Sequence, residues 1–192
     1  MTRLILASSS PYRKELLQRL HIDFDCISPD IDESSFENEQ PGAYVQRLAI
    51  EKAAEIGKTQ PDSLIIGSDQ CCVNSNNILG KPHDRENAIE QLRAASGKSI
   101  EFLTGVSIQH PLSGWHRDWI DIFLVEFREL SLDEIERYLD TEQPFNCAGS
   151  FKSEKLGISL CQSMRGDDPT ALIGLPLIKV AQCLREFGLQ AP

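Results

Sequence analysis

Five ionisable side chains, Arg13, Glu33, Lys52, Asp69 and Lys81, are of the two kinds that phosphoryl chemistry needs. Cations neutralise a polyphosphate, and carboxylates hold a divalent ion or orient an attacking water. Asp69 and Glu33 supply the carboxylates; Arg13, Lys52 and Lys81 fall in or next to predicted loops and strand ends. Arg13 closes the run Ser8-Ser9-Ser10-Pro11-Tyr12-Arg13, which follows the apolar Leu4-Ile5-Leu6-Ala7 without a break. Proline is favoured at the first helical position, so Pro11 makes Ser10 the expected N-cap. Backbone N–H groups of that first turn, three hydroxyls and Arg13 then meet at the positive end of a helix dipole, which suits an anion. The same residues would serve an ordinary helix start. Neither G-x-x-x-x-G-K-[ST] nor a G-x-G-x-x-G after the first strand is present, which excludes a P-loop and a Rossmann dinucleotide site.

The elements that must carry these groups alternate in type. A buried strand over Leu4–Ala7 leads to a helix with Leu16, Leu17 and Leu20 on one face, and Ile22–Ile27 alternates as a half-buried strand. An acidic loop with Asp30, Asp32 and Glu33 follows. Residues 42–56 have helical period, with Val45, Leu48, Ala49, Ala53 and Ile56 on one stripe, and Lys52 on that same stripe. A lysine there either snorkels out to solvent or points into a cleft. Ser63-Leu64-Ile65-Ile66-Gly67 reads as a strand covered on both faces, ending in Ser68-Asp69-Gln70. Ligands of open α/β sheets collect at such carboxyl ends, although Asp69 would equally well cap a turn.

Further on, Leu79-Gly80-Lys81-Pro82 is a loop before a helix from about Asp84 to Ala95, bounded by Gly97. Residues 100–108 and 115–127 form a long hairpin across His110-Pro111-Leu112-Ser113-Gly114. Ser131-Leu132-Asp133-Glu134 is a capping box, Asp167-Asp168-Pro169-Thr170 is turn-like, and a last helix runs from Pro176 to Gly188. With no repeat or low-complexity tract, a single α/β domain over residues 1–192 is expected.

Composition narrows the function classes. The 192 residues are 41% apolar and 25% charged, ordinary values for a globular protein. A formal charge of −10 argues against general nucleic-acid binding, which uses a basic face, but not against a small anion in a local basic pocket. No apolar run approaches a membrane span and no signal-peptide pattern opens the chain, so a cytoplasmic location with no membrane partner is expected. Six cysteines show no metal-ligand spacing and are expected to be free, mostly buried thiols; four scattered histidines form no ligand motif.

Seven short motifs occur together: Ser8-Ser9-Ser10-Pro11-x-Arg13, Gly67-Ser68-Asp69-Gln70, Leu79-Gly80-Lys81-Pro82, Ser96-Gly97-Lys98, Thr104-Gly105-Val106, Ala148-Gly149-Ser150-Phe151 and Gly174-Leu175-Pro176-Leu177. In order and spacing, across essentially the whole chain, they resemble the Maf family of nucleoside triphosphate pyrophosphatases. Ser68-Asp69-Gln70 and Ser153-Glu154 look like the branch acting on 7-methyl-GTP. The resemblance implies an α/β fold of the inosine-triphosphatase-like (Maf/Ham) kind: an elongated, mixed, twisted sheet flanked by helices, with two lobes around a deep cleft. It implies hydrolysis between the α and β phosphates, aided by a divalent metal, Mg²⁺ or Mn²⁺. Asp69 would accept the proton, Ser8, Arg13, Lys52 and Lys81 would bind phosphate, and Glu33 would hold the metal with Asp69. Tyr12, Gln70 and Glu154 would select the base. The partner implied is a nucleoside triphosphate substrate, with a homodimer as the family-level expectation.

The base-selecting role also has a physical rationale. Methylated guanine is cationic, and an aromatic ring at Tyr12 would attract it by roughly 0.5–2 kcal/mol. A carboxylate at Glu154 would accept hydrogen bonds from guanine's N–H and amine, which pyrimidines cannot offer together. The branch usually carries Trp in the slot of Tyr12, and the smaller ring is expected to relax selectivity. Pyrophosphatase activity on dTTP, UTP or other modified nucleotides is the alternative, and a non-catalytic nucleotide-binding regulator of septum formation is the alternative of another class.

Overall fold

Four consecutive buried aliphatic residues, Leu4–Ala7, form β1, and its fully covered faces explain why this run does not alternate. The computed structural model describes residues 2–75 and 77–190. After β1 come α1 (Pro11–Gln18), β2 (Asp25–Cys26), α2 (Pro41–Gly57), β3 (Leu64–Asn74), β4 (Asn77–Leu79), α3 (Arg85–Ala95), β5 (Ser99–His110) and β6 (Trp115–Phe127). The chain ends with α4 (Leu132–Glu142), β7 (Cys161–Arg165) and α5 (Leu177–Phe187). The strands hydrogen-bond in the order β2-β1-β3-β5-β6-β7, with β4 beside β3. β1 is parallel to β2 and β3, whereas β3/β4 and β6/β7 are antiparallel, so the sheet is mixed. This is a mixed α/β fold.

The chain divides into two compact units. The first comprises Met1–Asp69, Thr104–Asp121 and Asp168–Pro192; the second comprises Gln70–Leu103 and Ile122–Asp167. In the first, Leu4 and Leu6 of β1, Leu16 and Leu17 of α1, Leu64 and Ile66 of β3, and Val180 and Leu184 of α5 share one core cluster. Burying each such side chain contributes about 1.5–3 kcal/mol. Ile5, Ala7, Ala53, Ile56 and Ile65 form a second cluster, which fastens α2 to β1 and β3. Gly67 makes that contact close: a Cβ there would lie 2.1 Å from the Ala49 carbonyl oxygen. No larger residue fits unless α2 moves away from β3.

In the second unit, Ala88, Leu92 and Ala95 of α3 and Ile135, Tyr138 and Leu139 of α4 are buried. Phe151 packs against Phe102 and Phe127, with centroid separations of 5.8 and 5.2 Å. The capping box at Ser131 is complete, the Glu134 carboxylate accepting from the Ser131 N–H at 2.9 Å.

Two strand readings are corrected. Only Asp25 and Cys26 of the expected strand over Ile22–Ile27 pair with β1, and both are exposed. Ile22 and Phe24 pack instead as side chains against the core, an apolar alternation that needs no ladder. The other correction bears on the site. The strand expected to stop at Ser68-Asp69-Gln70 runs on to Asn74, so Asp69 lies inside β3 rather than at its end. Polar residues tolerate this position because each finds a partner: Ser68 Oγ donates to the Gly174 carbonyl at 2.9 Å, and Lys52 bonds Asp69. The strand that does end here is β1, whose Ala7 pairs with Gly67; Ser8 then turns away while β3 continues.

Candidate functional site

The centre of the site is one buried lysine between two carboxylates. α2 is fastened to the sheet at Gly67, and this brings Lys52 Nζ to 2.7 Å from Asp69 Oδ1. The same ammonium lies 2.8 Å from Glu33 Oε1. The Lys52 side chain is 7% exposed, that of Asp69 12% and that of Glu33 58%. Of the two sequence readings of Lys52, the snorkelling one is therefore excluded. A charge so far from water requires paired, hydrogen-bonded partners, and here it has them.

Arg13 and Ser8 belong to the same unit. Ser10 caps α1, its hydroxyl accepting from the Arg13 N–H at 3.4 Å, with Pro11 at the first helical position as its sequence implies. Ser8 is buried, and its hydroxyl accepts from the Ser10 N–H at 3.1 Å. Arg13 Nε donates to the Gly174 carbonyl at 3.0 Å, the same oxygen that receives Ser68 Oγ. Burial pushes the Arg13 guanidinium below the ordinary arginine pKa, while Asp69 and Glu33 pull it back up. The shared Gly174 carbonyl sets Arg13 beside Ser68, the residue before Asp69 on β3. Tyr12 precedes Arg13 on α1, half-buried.

Lys81, Gln70 and Glu154 lie in the second unit. Gln70 is half-buried in β3, Lys81 is exposed on the segment after β4, and Glu154 is exposed in a turn. Their supports are specific. Gln91 Nε2 of α3 donates to the Gly80 carbonyl at 3.1 Å, and Gln91 Oε1 accepts from Ser150 Oγ at 2.6 Å. One amide thus ties the Lys81 segment to the chain leading to Glu154. The Tyr138 hydroxyl donates to the Ser150 carbonyl at 3.2 Å and accepts from the Lys152 N–H at 3.0 Å. Burial pushes the Tyr138 phenol well above its usual pKa, so it remains a donor.

The structure thus joins Asp69, Lys52 and Glu33 by direct contact and sets Arg13 near them. Ser68, Gly174, Gln91 and Tyr138 are supports that the sequence reading did not identify. Gln91 and Tyr138 carried no signal; Ser68 lay inside the motif Gly67-Ser68-Asp69-Gln70, and at the head of the last motif stood Gly174. Its φ of +120° is foreign to residues with a side chain, and a Cβ would stand 3.4 Å from Arg13 Nε. Gly174→Ala is expected to cost about 1–3 kcal/mol of stability through the strained φ, and to raise KM for a triphosphate as relief of that strain shifts the carbonyl that Arg13 and Ser68 share. Thermal unfolding and steady-state kinetics check this; a variant with the parent's Tm and KM contradicts it.

Asp168 makes local contacts at the start of the last helix. It is buried and accepts from the N–H groups of Thr170 at 2.8 Å and Ile178 at 2.7 Å, holding the first turn of α5. Cysteines are free throughout: Cys71, Cys72 and Cys183 are buried, Cys147 and Cys161 half-buried, and Cys26 exposed. Among the described residues no three His, Cys, Asp or Glu side chains gather as a metal cage. Two carboxylate oxygens do converge on Lys52. This donor set fits Mg²⁺ or Mn²⁺, hard ions that take one or two protein carboxylates and fill their remaining positions with water and substrate phosphates. No helix among the described residues is long and apolar enough to cross a membrane.

A family profile described as Maf-like protein matches residues 3–187. The 7-methyl-GTP pyrophosphatase of Alcanivorax borkumensis is 53% identical over 189 residues, 98% of this chain and 96% of that one. The 7-methyl-GTP pyrophosphatase of Pseudomonas savastanoi pv. phaseolicola is 52% identical over 192 residues, the full length of both. Among solved structures, a HAM1 protein from Coxiella burnetii shows 15% identity and a TM-score of 0.44, over 66% of this chain and 73% of that one. The chain belongs to the Maf family.

Proposed function

We propose that this chain is a pyrophosphatase that hydrolyses 7-methyl-GTP to 7-methyl-GMP and pyrophosphate. The observation that carries the substrate is the full-length similarity to relatives of that name, 53% identical in one case. The Asp69–Lys52–Glu33 contact supports the chemistry. Asp69 accepts a proton from water, whose oxygen bonds to the α-phosphorus as the bond to the α,β-bridging oxygen breaks and pyrophosphate leaves. Lys52, Arg13, Ser8 and Lys81 are donors for the phosphate oxygens, worth most where water is excluded. Glu33 and Asp69 would hold a Mg²⁺ or Mn²⁺ ion, which when bound neutralises triphosphate charge. The free cysteines suit a reducing, cytoplasmic setting.

Tyr12, Gln70 and Glu154 are the proposed readers of the base. With Tyr12 in the place where the branch usually has Trp, turnover of other triphosphates is expected alongside that of 7-methyl-GTP. Incubating the protein and Mn²⁺ with 7-methyl-GTP, GTP, dTTP and UTP tests the reading: the highest kcat/KM is expected for 7-methyl-GTP. Preference for the pyrimidines would keep the reaction class and overturn the substrate. Glu154→Gln is expected to lower kcat/KM for 7-methyl-GTP by about 10- to 100-fold, the worth of hydrogen bonds to a charged group, and to raise that for UTP. An unchanged ranking would clear Glu154 of selection.

A further inference from the structure

Glu33 is the one member of the central trio that no helix or strand carries. Residues 27–40 contain no regular secondary structure, so no ladder of backbone hydrogen bonds fixes them. More than half of the Glu33 side chain is exposed, yet its carboxylate reaches Lys52 at 2.8 Å. Something else must hold the segment in place.

We propose that Arg47 of α2 is a positioning residue that clamps residues 33–39 so that the Glu33 carboxylate meets Lys52 beside Asp69. Arg47 Nε and Nη2 bind both oxygens of Glu39, at 2.7 and 2.8 Å. Nη2 also donates to the Ser34 carbonyl at 3.0 Å, and Nη1 to Glu51 at 3.1 Å. The guanidinium carbon lies 4.0 Å from the Phe36 ring centroid and 5.7 Å from that of Tyr44. Tyr44 completes the grip, its hydroxyl donating to the Glu33 carbonyl at 3.0 Å. Thus α2 holds Glu33 twice: Lys52 takes its side chain, and Arg47 with Tyr44 takes the backbone and the residues that follow.

An exposed ion pair is worth little, but this one is neither exposed nor single. Side-chain exposure is 16% for Arg47 and 8% for Glu39, and the pairing is bidentate. The Arg47 hydrogen bonds hold the Glu39 carboxyl down at about 2, so the clamp stays charged at neutral pH. Only a planar fork with an apolar face can bind Glu39, Ser34 and two rings at once; lysine cannot.

The proposal rests on the reading of Glu33 as a metal ligand, and the test separates the two. Arg47→Met, Glu33→Gln and the double variant are assayed with 7-methyl-GTP across Mn²⁺ concentrations, and hydrogen–deuterium exchange is followed over residues 30–39. Loss of a residue that orients a metal ligand is expected to raise half-saturating Mn²⁺ by about tenfold. At saturating Mn²⁺, kcat should remain within about threefold of the parent, the factor of about 10 expected in affinity being recovered by mass action. Coupled residues give non-additive effects, so the double variant should be no worse than the poorer single one. Exchange should accelerate in residues 30–39 while β3 keeps its protection.

Parent-like Mn²⁺ dependence in Arg47→Met, with Glu33→Gln shifted, overturns the clamp and leaves the site reading standing. So does a fall in kcat with unchanged Mn²⁺ dependence, which would mark a merely structural loss. Parent-like Mn²⁺ dependence in Glu33→Gln overturns the site reading, and the proposal with it. Should Arg47→Met fail to fold, Arg47→Lys, which keeps the charge and removes the fork, carries the same test with a smaller shift.

Discussion

Asp69→Asn is expected to lower kcat for 7-methyl-GTP by roughly 10²- to 10⁴-fold, the range contributed by a positioned general base. Asparagine has the shape of aspartate and an oxygen that can still accept from Lys52, so β3 and its contact with α2 persist. KM should change little, since Arg13, Ser8, Lys52 and Lys81, the proposed phosphate donors, are unaltered. Steady-state kinetics with a thermal unfolding control gives the answer. A folded variant with near-parental kcat would remove Asp69 from the role of proton acceptor. Its position favours the role: a carboxylate 12% exposed on a central strand cannot move far, and its partner Lys52 is fixed by a helix in contact with the same strand.

Lys52→Met is expected to have the largest combined effect on stability and binding. The substitution preserves much of the apolar stem and deletes the ammonium that two carboxylates share. Removing one partner of a buried pair leaves an uncompensated charge and costs about 3 kcal/mol or more. For a chain of this size that corresponds to a fall in Tm of about 6–12 °C. Affinity for a non-hydrolysable triphosphate should fall as well, because a cation is replaced by nothing. A variant with unchanged Tm would show that Asp69 finds water or another partner without Lys52. One with unchanged triphosphate affinity would show that Lys52 serves the fold alone.

Local chemistry was legible in the sequence and long-range chemistry was not. Ser10 before Pro11, and Ser131 three residues before Glu134, announce helix starts because every partner lies within one turn. Lys52 announced itself as a misfit on an apolar stripe, but its two readings could be separated only by finding Asp69 against it, 17 residues along. The extent of β3 was not legible because Ser68-Asp69-Gln70 carries turn-like residue types, and the groups that satisfy the Ser68 and Asp69 side chains inside a strand come from Gly174 and from α2. Arg13 and Gly174 are 161 residues apart, so no spacing rule could connect them. Gln91 is a polar residue on a helix, a place where glutamine usually meets solvent; its two bonds to Gly80 and Ser150 arise only from the packing of α3. The chemistry-bearing residue types were visible, whereas the supports that aim them were not.

The central claim is that water bound at Asp69 attacks the α-phosphorus of 7-methyl-GTP and expels pyrophosphate. The most direct test is turnover in ¹⁸O-enriched water with mass analysis of both products. One ¹⁸O atom in 7-methyl-GMP, with unlabelled pyrophosphate, is the predicted result. Label in pyrophosphate would place the attack on the β-phosphorus, and release of orthophosphate would mean that a different bond is broken; either would contradict the account.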